Sequence, residues 1–139
     1  MPKSKIILDK IAMIGSYSPR RCGIATFTYD LVSALKNNIQ KTKIDVLAMN
    51  DSPGGYLYSE DVQLEILDSQ NKDYLKAADF LNTNMVDVVN IQHEFGIFGG
   101  HAGKKILHLI NNVRMPVIVT LHTVLQAPEE EYSRVFLEI

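Results

Sequence analysis

The sequence predicts an α/β fold, a single doubly wound parallel sheet with helices on both faces. Two observations carry this. Short, β-branched, nearly continuous apolar runs recur along the chain, as expected of strands covered on both sides. Between them lie longer stretches with apolar residues at helical spacing, and such alternation needs a layer of helices on each side of one sheet. The 139 residues, 46% of them hydrophobic, suit one domain with a real core and exclude a polar, disordered chain.

Taken in order, the predicted strands are Lys10–Gly15 (KIAMIG), Lys43–Met49 (KIDVLAM), Val62–Leu67 (VQLEIL), Val86–Gln92 (VDVVNIQ) and Pro116–Leu121 (PVIVTL). The third alternates apolar and polar positions, which assigns it to a half-exposed sheet edge. Helical stripes separate them. Phe27, Leu31, Ala34 and Leu35 form the first, Leu75, Ala78 and Leu81 the second within Tyr74–Leu81, and Ile106, Leu109, Ile110 and Val113 the third within Ala102–Val113. Right-handed crossovers then give a Rossmann-like sheet in the order 3-2-1-4-5. No repeat, low-complexity tract or linker interrupts the chain.

At the carboxyl end, Pro128 followed by Glu129, Glu130 and Glu131 starts a helix, with acids at its positive dipole end, and Tyr132, Val135 and Phe136 begin its apolar stripe. Ile139 follows without a capping glycine or polar tail, so the domain is expected to be part of a longer protein.

Composition narrows the function. A net charge of -2 supplies no field for a polyanion, which argues against general nucleic-acid binding. One cysteine, Cys22, excludes a scaffold held by internal disulfides. Lys3 and Lys5 precede an apolar run that Asp9 and Lys10 cut short of a signal sequence, and no segment has the length of a membrane span; a cytoplasmic location is expected. Asn50-Asp51-Ser52 fits a glycosylation pattern that such a location leaves unused.

Ligands of open parallel sheets bind beyond the carboxyl ends of the strands, and three segments there are unusual. After the first strand, Ser16 to Phe27 (SYSPRRCGIATF) is polar, carries Arg20 and Arg21, and reaches Gly23 at a helix start. A glycine admits close backbone approach, free N–H groups favour an anion and the arginines add attraction, so phosphate or sugar binding is the chemistry suggested. Turn geometry with solvated arginines explains the same residues without a ligand. There is no GxGxxG and no GxxxxGK[ST], which removes dinucleotide and P-loop readings. A thiol phosphatase built on Cys22 needs an arginine six positions on, where Thr28 stands; Cys22 is read as a packing residue.

The second segment, Gln92 to Gly103, offers His93, Glu94, Phe95 and Phe98 among glycines that include Gly96, Gly99 and Gly100. Its backbone is expected to reach a substrate and its aromatics to stack on an apolar face of one. The third is Thr120-Leu121-His122-Thr123, with His122 at the end of the fifth strand. His93 and His122 are expected to face one cleft, where imidazoles serve acid–base or hydrogen-bonding work. Metal binding is disfavoured, since His101 and His108 share a helix face but lack a nearby Cys or carboxylate ligand.

Together SPRRCGIATFTYDL, VVNIQHEFGIFGG and PVIVTLHTVL resemble the N-terminal domain of retaining glycosyltransferases of the GT-B fold, family 4, over nearly the whole chain and in the right order. The resemblance implies that Gly23, Ile24 and the adjoining Arg20 and Arg21 approach the donor diphosphate and the acceptor. It places His122 beside the transferred sugar as the catalytic candidate. It assigns His93, Glu94, Phe95, Gly96, Gly99 and Gly100 to the acceptor side of the cleft. It further implies a nucleotide-sugar as donor substrate with no separate cofactor and no metal, in keeping with the lack of Asp-x-Asp, and a glycan, lipid or small molecule as acceptor. The chain's own C-terminal domain would hold the nucleotide, the isolated chain would be inactive, and its uncovered interface could drive self-association. A non-catalytic sugar- or protein-binding module is the alternative, distinguished by whether a second domain with a Glu-x7-Glu-like signature follows Ile139.

Overall fold

The computed structural model describes residues 6–139. Five parallel strands form one sheet: β1 (Lys10–Gly15), β2 (Lys43–Asn50), β3 (Val62–Leu67), β4 (Val88–His93) and β5 (Val117–Leu121). Their order is β3-β2-β1-β4-β5, the reversal lying between β1 and β4. The fold class and the strand order agree with the sequence-based expectation. Among the described residues no helix is long and apolar enough to cross a membrane.

Alternating side chains divide the core in two. Helix α1 (Gly23–Asn38) covers one face, where Ile11, Met13, Ile44, Val46, Ala48 and Val88 meet Val32. Helices α2 (Asn71–Thr83) and α3 (Ile106–Ile110) cover the other, over Ala12, Ile14, Leu47, Met49, Ile66, Val89 and Ile91. Each fully buried aliphatic side chain contributes roughly 1.5–3 kcal/mol, which makes the two layers the main source of stability. Helix α4 (Glu130–Glu138) sits apart from both, with Val135, Tyr132 and Phe136 against Phe95 and Ala102.

Several predicted details shift. β4 begins at Val88 rather than Val86, because the Asp87 carboxylate turns to accept from the backbone N–H groups of Asp9 and Lys10 at 2.8 and 2.9 Å. The stripe of α2 is rotated by one residue: Leu75 is 43% exposed, while Tyr74, Ala77, Ala78 and Leu81 are buried. Tyr74 wins the inner position because its hydroxyl bonds the Asp68 carbonyl and accepts from the Gly99 N–H, both at 3.0 Å. In α1 the inner face is Ala25, Thr28 and Val32; Ala34 is exposed and Phe27 is 46% exposed. The predicted helix over Ala102–Val113 is broken into a 3-10 turn at His101–Gly103 and the short α3. The cause is local backbone geometry, with Ala102 at φ 53 and Gly103 at φ +70, both left-handed.

Candidate functional site

The carboxyl end of the sheet brings the loop after β1, the start of α1 and the end of β5 together. Helix α1 starts at Gly23, and Cys22 caps it: its thiol accepts from the Ala25 N–H at 3.3 Å and lies 3.1 Å from the Ser16 hydroxyl. That placement makes Cys22 structural. Gly23 is exposed, its φ is not left-handed, and a Cβ built on it would meet nothing within 4 Å. The space beside the first helical turn is open to a ligand, and the glycine is not demanded by the chain's own turn.

The two arginines differ. Arg20 is partly buried; its Nη1 donates to the Met49 carbonyl at the end of β2 at 3.1 Å, and Nη2 lies 3.7 Å from the Asp51 carboxylate. Tyr56 donates to that same carboxylate at 2.9 Å, and this hydrogen bond is the main reason Asp51 stays below the ordinary carboxylate range. Arg20 therefore ties the loop to the end of β2. Arg21 is exposed to solvent.

Gly15 sets the height of the site. A Cβ there would lie 3.0 Å from the Gln92 Cβ and 3.4 Å from the Thr28 hydroxyl, so its absence lets β4 and α1 close on the end of β1. Gln92 is fully buried. Its amide nitrogen donates to the Asn90 side-chain oxygen and, at 3.3 Å, to the Thr120 hydroxyl, while its oxygen lies 2.8 Å from His122 Nε2. The His122 ring meets Phe27 edge-on, with centroids 4.8 Å apart. This contact explains why Phe27 is half exposed at the rim of the site instead of buried in the core.

His93 does not share this cleft with His122, and here the expectation is corrected. His93 follows Ile91 on the α2/α3 face of the sheet, whereas Gln92 and His122 belong to the α1 face; what joins the histidines is the His122 N–H donating to the His93 carbonyl at 2.9 Å. His93 is fully buried between Phe95 and Phe98, at ring distances of 5.0 and 5.6 Å, and neither ring nitrogen has a hydrogen-bond partner. Burial lowers its pKa below the ordinary imidazole value, the neighbouring Glu94 opposing the shift and His122 adding to it.

The rest of this loop is similarly committed. Phe95 and Phe98 are core residues, not stacking surfaces for a ligand. Glu94 bends back so that its carboxylate accepts from the Gly96 N–H at 2.7 Å. A Cβ on Gly99 would fall 1.9 Å from the Asp68 carbonyl oxygen, and one on Gly103 2.8 Å from that of Phe95. These glycines let the loop pack on the chain itself. Gly96 and Gly100 are exposed, and Ile24 is partly buried against the core. Beside the loop, Phe95, Val124, Leu125, Pro128 and Phe136 line an open apolar hollow of about 200 Å³.

Sequence alone gives Asn90, Gln92 and Thr120 no role, although Gln92 and Thr120 open two of the three segments. The signal for Asn90 and Gln92 was two polar residues at alternate positions of the otherwise apolar, buried β4, a pattern that costs stability unless the polar groups find partners; Thr120 is the one polar residue of β5. Among the described residues, no cluster of three or more His, Cys, Asp or Glu side chains could hold a metal ion.

No protein-family model matches the chain, and no curated protein matches it. The resemblance to glycosyltransferases rests on the three sequence motifs.

Proposed function

We propose that this chain is the N-terminal, acceptor-side domain of a retaining glycosyltransferase with two facing Rossmann-like domains. The observation that carries the reading is the pairing of an open first turn of α1 at Gly23 with a polar, internally braced His122 across the same strand ends. A diphosphate approaching Gly23 would meet backbone N–H groups at the positive end of a 16-residue helix, with Arg21 free to add attraction. A sugar attached to it would extend toward His122. The apolar hollow near Phe95 suits an uncharged part of the acceptor.

In this mechanism, the chain's residues orient the donor and exclude water on one side of the anomeric carbon. Stabilising the departing nucleoside diphosphate falls largely to the facing domain, because charge developing there needs cations and donors that this chain lacks in number. His122 contacts the transferred sugar, and Gln92 holds His122.

The test is release of nucleoside diphosphate from a panel of nucleotide-sugars. The 139-residue chain alone is expected to show none, and the full-length protein is expected to turn over at least one donor. Turnover by the isolated chain, or a full-length protein with no second domain and no transfer, would replace this reading with that of a binding module.

A further inference from the structure

We infer that Gln92 is a positioning residue that fixes the tautomer of His122, so that the ring carries its proton on Nε2 and presents Nδ1 as a bare hydrogen-bond acceptor. The argument follows the direction of each hydrogen bond. The Gln92 amide has one oxygen that only accepts and one nitrogen that only donates. Its nitrogen is spent on two acceptors, the Asn90 side-chain oxygen and the Thr120 hydroxyl on β5. The oxygen therefore faces His122 Nε2, at 2.8 Å. A carboxamide oxygen only accepts, so the ring nitrogen facing it must donate. In the neutral imidazole the other nitrogen, Nδ1, is then left with a lone pair.

Three features make the arrangement rigid. Gln92 is fully buried, and while its nitrogen donates to the Asn90 oxygen and the Thr120 hydroxyl, its own oxygen is the atom left to meet Nε2. The His122 backbone is held by its N–H bond to the His93 carbonyl at 2.9 Å. Phe27 stands edge-on against the ring, limiting its rotation. Among the described residues, the hydrogen bond of the His122 ring is the one through Nε2.

The chemical consequence rests on the proposed function: a sugar held beside His122 would be recognised by a hydroxyl that donates to Nδ1. An anionic oxygen such as a phosphate would find no proton there while the ring is neutral. The cleft would then divide its labour, with the start of α1 for the diphosphate and His122 for a hydroxyl of the sugar.

The test is the nitrogen-15 chemical shifts of the His122 ring in the 139-residue chain, recorded at alkaline pH where an imidazole is neutral. Wild type is expected to show a single Nε2–H tautomer, with Nδ1 wholly pyridine-like. Gln92→Met, similar in volume but without the acceptor, is expected to give a mixture of tautomers, and Gln92→Glu, which keeps an acceptor, to retain Nε2–H. An Nδ1–H ring or a tautomer mixture in wild type overturns the inference, and this measurement needs no variant to fold. So does an unchanged single tautomer in a folded Gln92→Met chain. The outcome is independent of sugar transfer: a fixed Nε2–H ring in a full-length protein that transfers no sugar upholds the positioning role and removes the glycosyltransferase reading.

Discussion

The segments that leave β1 and β4 look alike in sequence, each polar, glycine-bearing and placed at the carboxyl end of the sheet, yet the fold uses them in opposite ways. After β1, Gly23 has open space around it. After β4, Gly99 and Gly103 fit against carbonyl oxygens of the chain, and His93, Phe95 and Phe98 are buried. The two histidines repeat the contrast: His122 is held by a polar partner at a cleft rim, while His93 is enclosed by aromatic rings with no partner for either nitrogen. A glycine signals a ligand only when nothing of the protein occupies the space its missing side chain leaves, and a histidine only when some of its polarity is left for solvent or substrate.

The contrast can be broken by substitution. The largest effect is expected at Gly99, where Gly99→Ala forces a methyl into the Asp68 carbonyl and should cost about 3 kcal/mol or more, lowering Tm by roughly 10 °C. Thermal unfolding of the isolated chain measures this, and a Tm within about 2 °C of wild type would show that the β4 loop relaxes freely. Gly23→Val should leave Tm nearly unchanged, since its side chain meets nothing, but should weaken donor use by the full-length protein about tenfold, the equivalent of 1.4 kcal/mol. Unaltered donor kinetics would remove the α1 start from the site.

A smaller effect is expected at His93. Because burial lowers its pKa, the unfolded chain binds a proton below about pH 6.5 that the folded chain resists, so stability falls as pH drops through that range. His93→Phe removes the unpartnered nitrogens and should leave stability unchanged or raised by about 1 kcal/mol, with a flatter profile from about pH 7 to pH 5. Denaturant unfolding at a series of pH values reads both quantities, and an unaltered slope would assign the acid sensitivity elsewhere. The smallest effect belongs to Arg21→Ala, expected to weaken donor binding about twofold at low salt and not at all at high salt, because an exposed charge is screened. Isothermal titration of the full-length protein at two ionic strengths would check it.

The strands and their order were legible because a buried parallel strand needs a continuous apolar run, and four of the five have one. The broken third helix was not, since Ala102 is a good helix former and nothing local announces its left-handed backbone; it stands beside Gly103, which is also left-handed and has no room for a Cβ against the Phe95 carbonyl. Phe27 and Leu75 were misplaced for a related reason: helical spacing names a stripe, but the His122 ring and the Tyr74 hydroxyl decide which edge of it turns inward. At the candidate site, His122 and Gly23 could be placed at the carboxyl end of the sheet because the end of β5 and the start of α1 were legible. That His93 points through the opposite face depended on where β4 ends, since one residue of strand moves a side chain across the sheet.

The claim that the ligand side of this domain is the β1/β5 cleft, and not the β4 loop, is met most directly by kcat/KM of the full-length protein for two variants measured side by side. His122→Ala is expected to lose about 10²-fold, as for a positioned polar contact, with little change in Tm, and His93→Phe to stay within about threefold of wild type. The reverse result, activity that survives His122→Ala and collapses in a stably folded His93→Phe, would contradict the account and place the chemistry on the opposite face of the sheet.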